Sequence, residues 1–424
     1  PPNSVTRSLR GVDFRSTDVT LWMRYIVSMK PTCAVLGCLL ALMAVPASAQ
    51  FDKLKLSDVV QSIKFAGDLR LRDDVGAKRG AGQNNRGRLR YRLRFGSEIE
   101  LPENLAAIIR LGSGTGEQVS TNQSYDNLSA QKSIWIDLAG LRWKPAIHDD
   151  ATTVLNAGRM INPLWRTYSS DVVWDDDFNP EGFGESIEWV CADAGLSVFG
   201  SGLQAVTDED SNSGKNQWVF SQQFGVEKTL PLDSRLRIAG AYHKWSDENR
   251  SSFGQTTIQD GNRRLANGAL AARFGVGEAT GQLTSWIGKV PLNFQATLIR
   301  NFRQVHNDYV QGPVGRDGYQ AGLIVGAAKA KGSWEAAYFK KYSQIDSTVA
   351  DVADSDFGDG GTNRVGHIAW IAYAPRDWMQ LKIKGFVTDA LDRGFPTVAG
   401  LTPTATTNLD RAVNRLQVDV AVKF

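Results

Sequence analysis

Residues 86–101 read RGRLRYRLRFGSEIEL, and no other stretch constrains the fold as tightly. Leu89, Tyr91, Leu93, Phe95, Ile99 and Leu101 share one parity, interrupted by Ser97, while Arg86, Arg88, Arg90, Arg92, Arg94, Glu98 and Glu100 share the other. A period of two is that of a β-strand with one apolar and one charged face. A half-buried strand of a soluble antiparallel sheet presents the same alternation, so one such strand does not decide the class. The chain ends on a second example: Leu416, Val418, Val420, Val422 and Phe424 face one way, Arg415, Gln417, Asp419 and Lys423 the other. Long two-faced strands separated by turns predict an all-β fold, a transmembrane antiparallel β-barrel whose polar face lines a lumen.

Residues 29–49, MKPTCAVLGCLLALMAVPASA, combine a basic start at Lys30, an apolar run from Ala34 to Val45 and Ala47-Ser48-Ala49 before Gln50. These are the parts of a secretory signal peptide. Cleavage is expected after Ala49, with Met29 or Met23 as the start and residues 1–28 an upstream extension outside the native fold. Val35-Leu36-Gly37-Cys38 resembles a lipobox, but the apolar run continues past Cys38 to the better cleavage site. Cys33 and Cys38 then leave with the signal, and Cys191 remains as a free thiol without a disulfide partner. Residues 1–49 hold five of the 48 Lys/Arg and two of the 45 Asp/Glu, which leaves 43 of each and a neutral mature chain. No nucleic-acid partner is expected from such a balance.

No apolar run after Gln50 reaches the roughly 20 residues of a membrane helix. A secreted chain rich in alternating strands satisfies its backbone in a membrane as a closed barrel. Residues 50–61 read as a periplasmic lead-in and residues 62–424 as the barrel. The first strand carries Ile63, Phe65, Leu69 and Leu71 against Lys64, Asp68, Arg70 and Arg72, and a loop is expected from Asp73 to Asn85. Residues 86–101 and 105–111 follow. Further strands are expected near 133–144, 152–159, 183–191, 194–205, 217–229, 235–246, 277–287, 292–303, 318–328, 333–344, 364–374, 378–389 and 413–424, about 16 in all. Short periplasmic turns alternate with long external loops. Trp143, Trp165, Trp218, Tyr242, Trp245, Trp286, Trp334, Tyr373 and Trp378 fall where strands leave the hydrocarbon, as interfacial belts do. Within Ser251–Val276, RRLANGALAARFG reads as a small helix in a loop or as an extra strand.

Arg70, Arg72, Arg88, Arg90, Arg92 and Arg94 share the polar face of two neighbouring strands, so six guanidinium groups are expected in the lumen. They either brace the wall against carboxylates or form a functional basic wall; the two readings are compatible. VVWDDDFNPEGFG places Asp175, Asp176, Asp177 and Glu181 in one connection. Folded inward, this loop would set carboxylates opposite arginines, and the transverse field of such a constriction sorts solutes by charge. A solvated external loop or a Ca²⁺ site are the other readings of the carboxylates. No cofactor or metal is expected.

The segments FAGDLRLRDD (65–74), RLRYRLRFG (88–96), STNQS (120–124), AGRMINP (157–163), VWDDDFNPEGFG (173–184) and the terminal Phe424 resemble the putative porin family of Gram-negative outer membranes, with wider similarity to 16-stranded general porins. The resemblance implies localisation in the outer membrane and passive diffusion of small hydrophilic solutes and ions through a water-filled lumen. It also implies a homotrimer and an eyelet made by the third external loop, residues 160–182. General porins carry Pro-Glu-Phe-Gly-Gly there; here Pro180-Glu181-Gly182-Phe183-Gly184 has a different order. Phe424 corresponds to the terminal aromatic that barrel-assembly machinery reads, and outer-membrane lipids are the surrounding partner.

A barrel protease or phospholipase needs a His beside a Ser or Asp to activate a nucleophile. Of the four histidines, His148 lies at a turn, His306 in a loop, and His243 and His367 in or near strands, none in a recognisable nucleophile motif. An enzyme is therefore not expected; the long loops keep an outer-membrane adhesin as the alternative, a barrel enzyme less so. No plug domain fits before the barrel.

Overall fold

The two-residue alternation folds into strands whose neighbours are all antiparallel. In the computed structural model, residues 59–79, 85–209, 214–246, 261–265, 269–303, 315–392 and 412–424 are described. The strands are β1 (Ser62–Arg79), β2 (Arg86–Leu101), β3 (Leu105–Gly112), β4 (Gln123–Ser124), β5 (Trp135–Trp143), β6 (Ala151–Arg159), β7 (Glu181–Cys191), β8 (Leu196–Asp208) and β9 (Gln217–Thr229). They continue as β10 (Arg235–Ser246), β11 (Gly275–Ile287), β12 (Val290–Asn301), β13 (Asp317–Gly326), β14 (Trp334–Ser343), β15 (Arg364–Arg376), β16 (Met379–Ala390) and β17 (Ala412–Lys423). β1 pairs with both β2 and β17, so the ring closes. The two-residue β4 pairs with β2 at Arg90 and Tyr91, beyond the part of β2 that β3 covers, and the other strands form the 16-stranded wall. Closure leaves no unpaired edge, as a strand-built membrane span requires.

Side-chain parity sets the two faces. Ile63, Phe65, Leu69, Leu71 and Val75 of β1 are exposed on the outside, while Arg72 and Asp74 are buried inside. β1 runs seven residues beyond Arg72, through most of the stretch expected to be a loop. Its extension is held by charge: Asp74 faces inward and accepts from Arg88 and Arg415 at 2.6 Å each, so this residue of the expected loop is a lumen side chain, while Asp73 has the outward parity and is exposed.

Short turns join the strands at one end, among them the 3-10 turns Pro102–Asn104 and Ala192–Ala194. At the other end the described connections 113–134, 160–180, 261–274 and 344–363 are long, apart from residues 266–268, which lie outside the described residues. The terminal residue closes the ring: Phe424 exchanges backbone hydrogen bonds with Gly67 at 2.8 and 3.0 Å. A Cβ on Gly67 would lie 2.6 Å from the Phe424 ring, so the bare glycine is the seat of the aromatic. Within Ser251–Val276, Arg264 and Leu270 form an isolated antiparallel bridge, and residues 251–260 lie outside the described residues.

Trp334, Tyr373 and Trp378 are exposed on the outer wall. Trp245 is not: it is fully buried inside and stacks 5.7 Å from Trp174. Trp165 also belongs to the interior, edge-on to Phe199 at 5.8 Å. Both sit where loops enter the barrel, and an interior aromatic at a strand end reads like an interfacial one.

The inward face is not polar throughout. Leu203, Ala205, Val219, Trp245, Val276 and Ile299 of the wall pack with Leu164, Val172, Val173 and Trp174 of the connection 160–180. A second apolar cluster joins Ile324, Phe339, Ile368, Trp370 and Phe386 to Phe357 of the connection 344–363. Phe339 lies across the backbone of Gly322, where a Cβ would come within 2.5 Å of the ring.

Candidate functional site

The connection from β6 to β7 enters the barrel and crosses it. Its neck is closed by Met160 N–H to the Pro180 carbonyl at 3.0 Å. Gln223 of β9 pairs both ways with the Trp165 backbone, at 2.7 and 2.9 Å. Ser170 then meets Thr297 of β12 at 2.8 Å, Gln320 of β13 donates to the Ser169 carbonyl at 2.6 Å, and Lys341 of β14 to the Asp171 carbonyl at 3.1 Å. On the return, Asn179 donates to Asp137 at 2.7 Å, and Asp137 also accepts from Arg110 at 2.6 Å. Apolar anchoring comes from Trp174, buried between Phe178 at 5.4 Å, Trp245 at 5.7 Å and, edge-on, His243 at 5.4 Å.

This path separates the four carboxylates that the sequence placed together. Asp177 reaches the arginine wall, 3.3 Å from Arg94 and 3.6 Å from Arg92. Asp175 turns away from it and accepts from the backbone of Asp177 and Ser355 at 2.8 Å each, docking the crossing loop on the connection 344–363. Asp176 is exposed and lies 3.3 Å from Arg166. Glu181 opens β7 rather than belonging to the loop; it has the parity of the exposed Phe183 and pairs with Arg159 at 2.8 Å.

Burial pushes the Asp171 and Asp175 carboxyls above the ordinary range, reinforced by Asp176 and Asp354 at the first and by Asp171, Asp177 and Asp354 at the second. Asp356 goes the other way. Burial opposes its charge, but Arg415 at 3.0 Å and Arg72 at 3.2 Å outweigh it and hold the carboxyl well below its usual value.

Arg70, Arg72, Arg88, Arg90, Arg92 and Arg94 all face the lumen, as their parity requires. The register sets Arg72 opposite Arg90 and Arg70 opposite Arg92. Two like charges directly opposite destabilise a sheet, and interleaved carboxylates relieve the repulsion. Asp68 accepts from Arg94 at 2.7 Å and lies 2.8 Å from Arg92. Asp74 takes Arg88 and Arg415, with Arg90 at 3.7 Å. Asp419 receives both Nε and Nη2 of Arg72, at 2.7 and 2.9 Å. Arg70 instead donates to Asn122 at 2.6 Å. Asn122, Asp356 and Tyr168 were not singled out in the sequence; each comes from a connection, where no periodicity points to the lumen. Arg415 and Asp419 were visible as the charged face of the last strand, and their partnership with β1 needed the closure of the ring.

One constellation looks catalytic. His243 sits between Ser221, at 2.9 Å, and Glu278, at 2.9 Å. Ser221 and His243 are fully buried, with the Trp174 ring edge-on to His243. The trio links β9, β10 and β11 through one hydrogen-bonded chain. His148 lies at a turn, bridged to Ala151, and His367 is on the outer face beside Tyr338 at 2.6 Å; His306 lies outside the described residues.

A closed antiparallel barrel, apolar outside, with a loop drawn across its lumen defines an outer-membrane channel of the porin class. The chain belongs to the family described as "Putative porin", whose model matches residues 78–276 and 291–424. Among solved structures, Pseudomonas putida OprB at high pH is similar at a TM-score of 0.52 and 10% identity, over 87% of this chain and 95% of that one. Salmonella typhi OmpF in complex with daunomycin aligns at a TM-score of 0.47 and 12% identity, over 85% of this chain and 97% of that one. Acinetobacter baumannii OccAB1 aligns at 0.48 and 11%, over 86% and 98%. The OprB likeness agrees with the barrel fold. No curated protein matches the chain. The protein is thus an outer-membrane porin for passive diffusion.

Proposed function

We propose that the channel is a narrow pore for small hydrophilic solutes and ions, and that its charge filter lies where Asp177 faces Arg92 and Arg94. The observation that carries this reading is the connection 160–180, held inside the barrel from β5 to β14 with one carboxylate against the basic wall. In a water-filled gap, fixed opposite charges orient dipolar solutes and discriminate ions. Arg70, Arg72, Arg88 and Arg90 make up the rest of the basic wall, and Asp175 serves to dock the loop. Asp176 extends the acidic side, whereas the Arg159 pairing of Glu181 favours a wall role for it.

The reading is of a non-enzymatic protein, because Ser221 and His243 of the Ser221–His243–Glu278 trio are fully buried. It also includes export by the signal at residues 29–49, recognition of Phe424 by barrel-assembly machinery, insertion among outer-membrane lipids and assembly as a homotrimer. Single-channel recording in a planar bilayer tests the central claim. Stable ohmic steps from purified protein are expected; insertions that stay electrically silent contradict an open pore.

A further inference from the structure

The basic wall continues on β16 with two lysines unlike the arginines around them. Lys382 and Lys384 have the inward parity, opposite Asp419 and Gln417 in the register. Among the described residues neither forms an ion pair with a carboxylate. Lys382 Nζ lies over the Trp370 ring at 4.4 Å and 3.4 Å from the Tyr168 hydroxyl; Lys384 Nζ lies 4.8 Å over Phe386 and 5.7 Å over Trp370.

Carboxylates act on both lysines from beyond ion-pair distance, Glu335 and Asp419 on Lys382 and Asp171, Asp354 and Asp356 on Lys384, and most of them are held elsewhere, Asp354 by Lys341 and Asp356 by Arg72 and Arg415. Asp419 is bidentate to Arg72, and Glu335 accepts from Trp370 Nε1 at 2.7 Å. Tyr168 projects from the crossing loop, half exposed, edge-on to Trp370 at 6.0 Å. Burial, and then Glu335, Asp176 and Asp171, push its phenol above the ordinary value, and its hydroxyl is hydrogen-bonded to Glu335. Partly buried cations without a counter-charge are costly, and they lower their energy by acquiring an anion. Aromatic faces orient the ammonium groups but supply no contact ion pair.

We propose that Lys382 and Lys384, beside the Trp370 and Phe386 rings, form a binding subsite for small solutes bearing carboxylate or phosphate oxygens, on the β16 side of the basic wall. Permeating oxyanions pause there, exchanging water for two cationic donors. The inference rests on the pore reading above.

The test is block of KCl current in a planar bilayer by millimolar succinate and, separately, by inorganic phosphate. At least one is expected to reduce the wild-type current saturably, and the stronger of the two identifies the oxyanion. Lys382→Gln combined with Lys384→Gln should weaken that block by roughly tenfold or more, the scale of a lost charge-assisted hydrogen bond. Lys340→Gln, beside His367 on the outer wall, should leave it unchanged. A conducting wild-type channel that neither anion blocks overturns the subsite, as does undiminished block in a double variant that still conducts. A barrel that inserts but passes no ions overturns the pore reading itself.

Discussion

The two halves of the barrel interior are built on opposite terms. From β16 through β17 and β1 to β2, the inward face carries arginines, lysines and aspartates in alternating pairs. From β8 to β15 it carries Leu203, Val219, Trp245, Ile299, Phe339 and Ile368, buried under the two connections that enter the lumen. Both halves obey the same period of two on their outer faces. The difference shows that alternation decides which side chains point inward, while the loops decide which of those stay wet. Covering a guanidinium without a partner costs far more than covering a leucine gains. The two connections therefore settle on the apolar half and reach the charged half through carboxylates, as with Asp177 and Asp356, or through the neutral Tyr168 beside Lys382.

Removing the anchor of the covered half should have the largest effect. Trp174→Ala deletes a buried ring that contacts Phe178, His243 and Trp245, a loss of about 3–5 kcal/mol of local packing. The crossing loop should then leave the apolar wall, raising single-channel conductance and opening residues 160–180 to protease while the barrel remains heat-modifiable. Conductance and cleavage like those of the wild type would mean that the charged contacts alone hold the loop, which removes the contrast between the halves.

The charged half is probed by replacing Arg90, Arg92 and Arg94 together with Gln. Asp68, Asp74 and Asp177 would lose much of their counter-charge. Because such fields decay over about 8 Å at physiological salt, only ions passing through the constriction sense the change. The reversal potential should move toward cations with assembly intact, since the outer face is untouched. An unshifted potential in a folded triple variant would mean that these arginines only brace the wall.

The contrast also marks how much of the molecule was legible in the sequence. Every long strand was, because outer-face leucines and inner-face charges follow the pleat whatever lies inside. The arginine row was legible for the same reason. The end of β1 was not, since Asp73 and Asp74 resemble loop residues until Arg88 and Arg415 are set beside Asp74. The separate fates of Asp175, Asp176, Asp177 and Glu181 were hidden too: neighbours in an irregular segment share no periodicity, and their partners lie on strands brought near only by closure. The interior roles of Trp165 and Trp245 depended on loop paths that no local pattern encodes.

Acid should strengthen the loop contacts modestly. Asp171 and Asp175 have raised carboxyls in the folded loop, so the folded form takes up protons before the unfolded one. Their contribution to stability is complete below the usual carboxylate range near about 4 and is lost as pH rises through the raised folded values. Asp356, held low by Arg415 and Arg72 against its burial, contributes above the usual range and fails only as pH drops below it. Between pH 8 and pH 5 the two effects do not compete. Brief closures caused by loop motion should be rarer at pH 5; more frequent closures would contradict the assignment of these carboxyls.

The smallest effect is expected at Cys191, the last residue of β7, exposed and followed by the turn Ala192–Ala194. Among the described residues no partner holds its thiol in a disulfide, and an exposed substitution away from buried contacts shifts stability by only about 0.5 kcal/mol or less. Cys191→Ser should therefore leave conductance and assembly unchanged, although it lies on the strand that begins at the crossing loop. Its use is positional. The short turns belong on the periplasmic side, so a membrane-impermeant maleimide too large for the pore should label Cys191 only after the outer membrane is opened. Labelling in intact cells would invert the barrel and place the loops 160–180 and 344–363, which cover the apolar half, toward the periplasmic mouth.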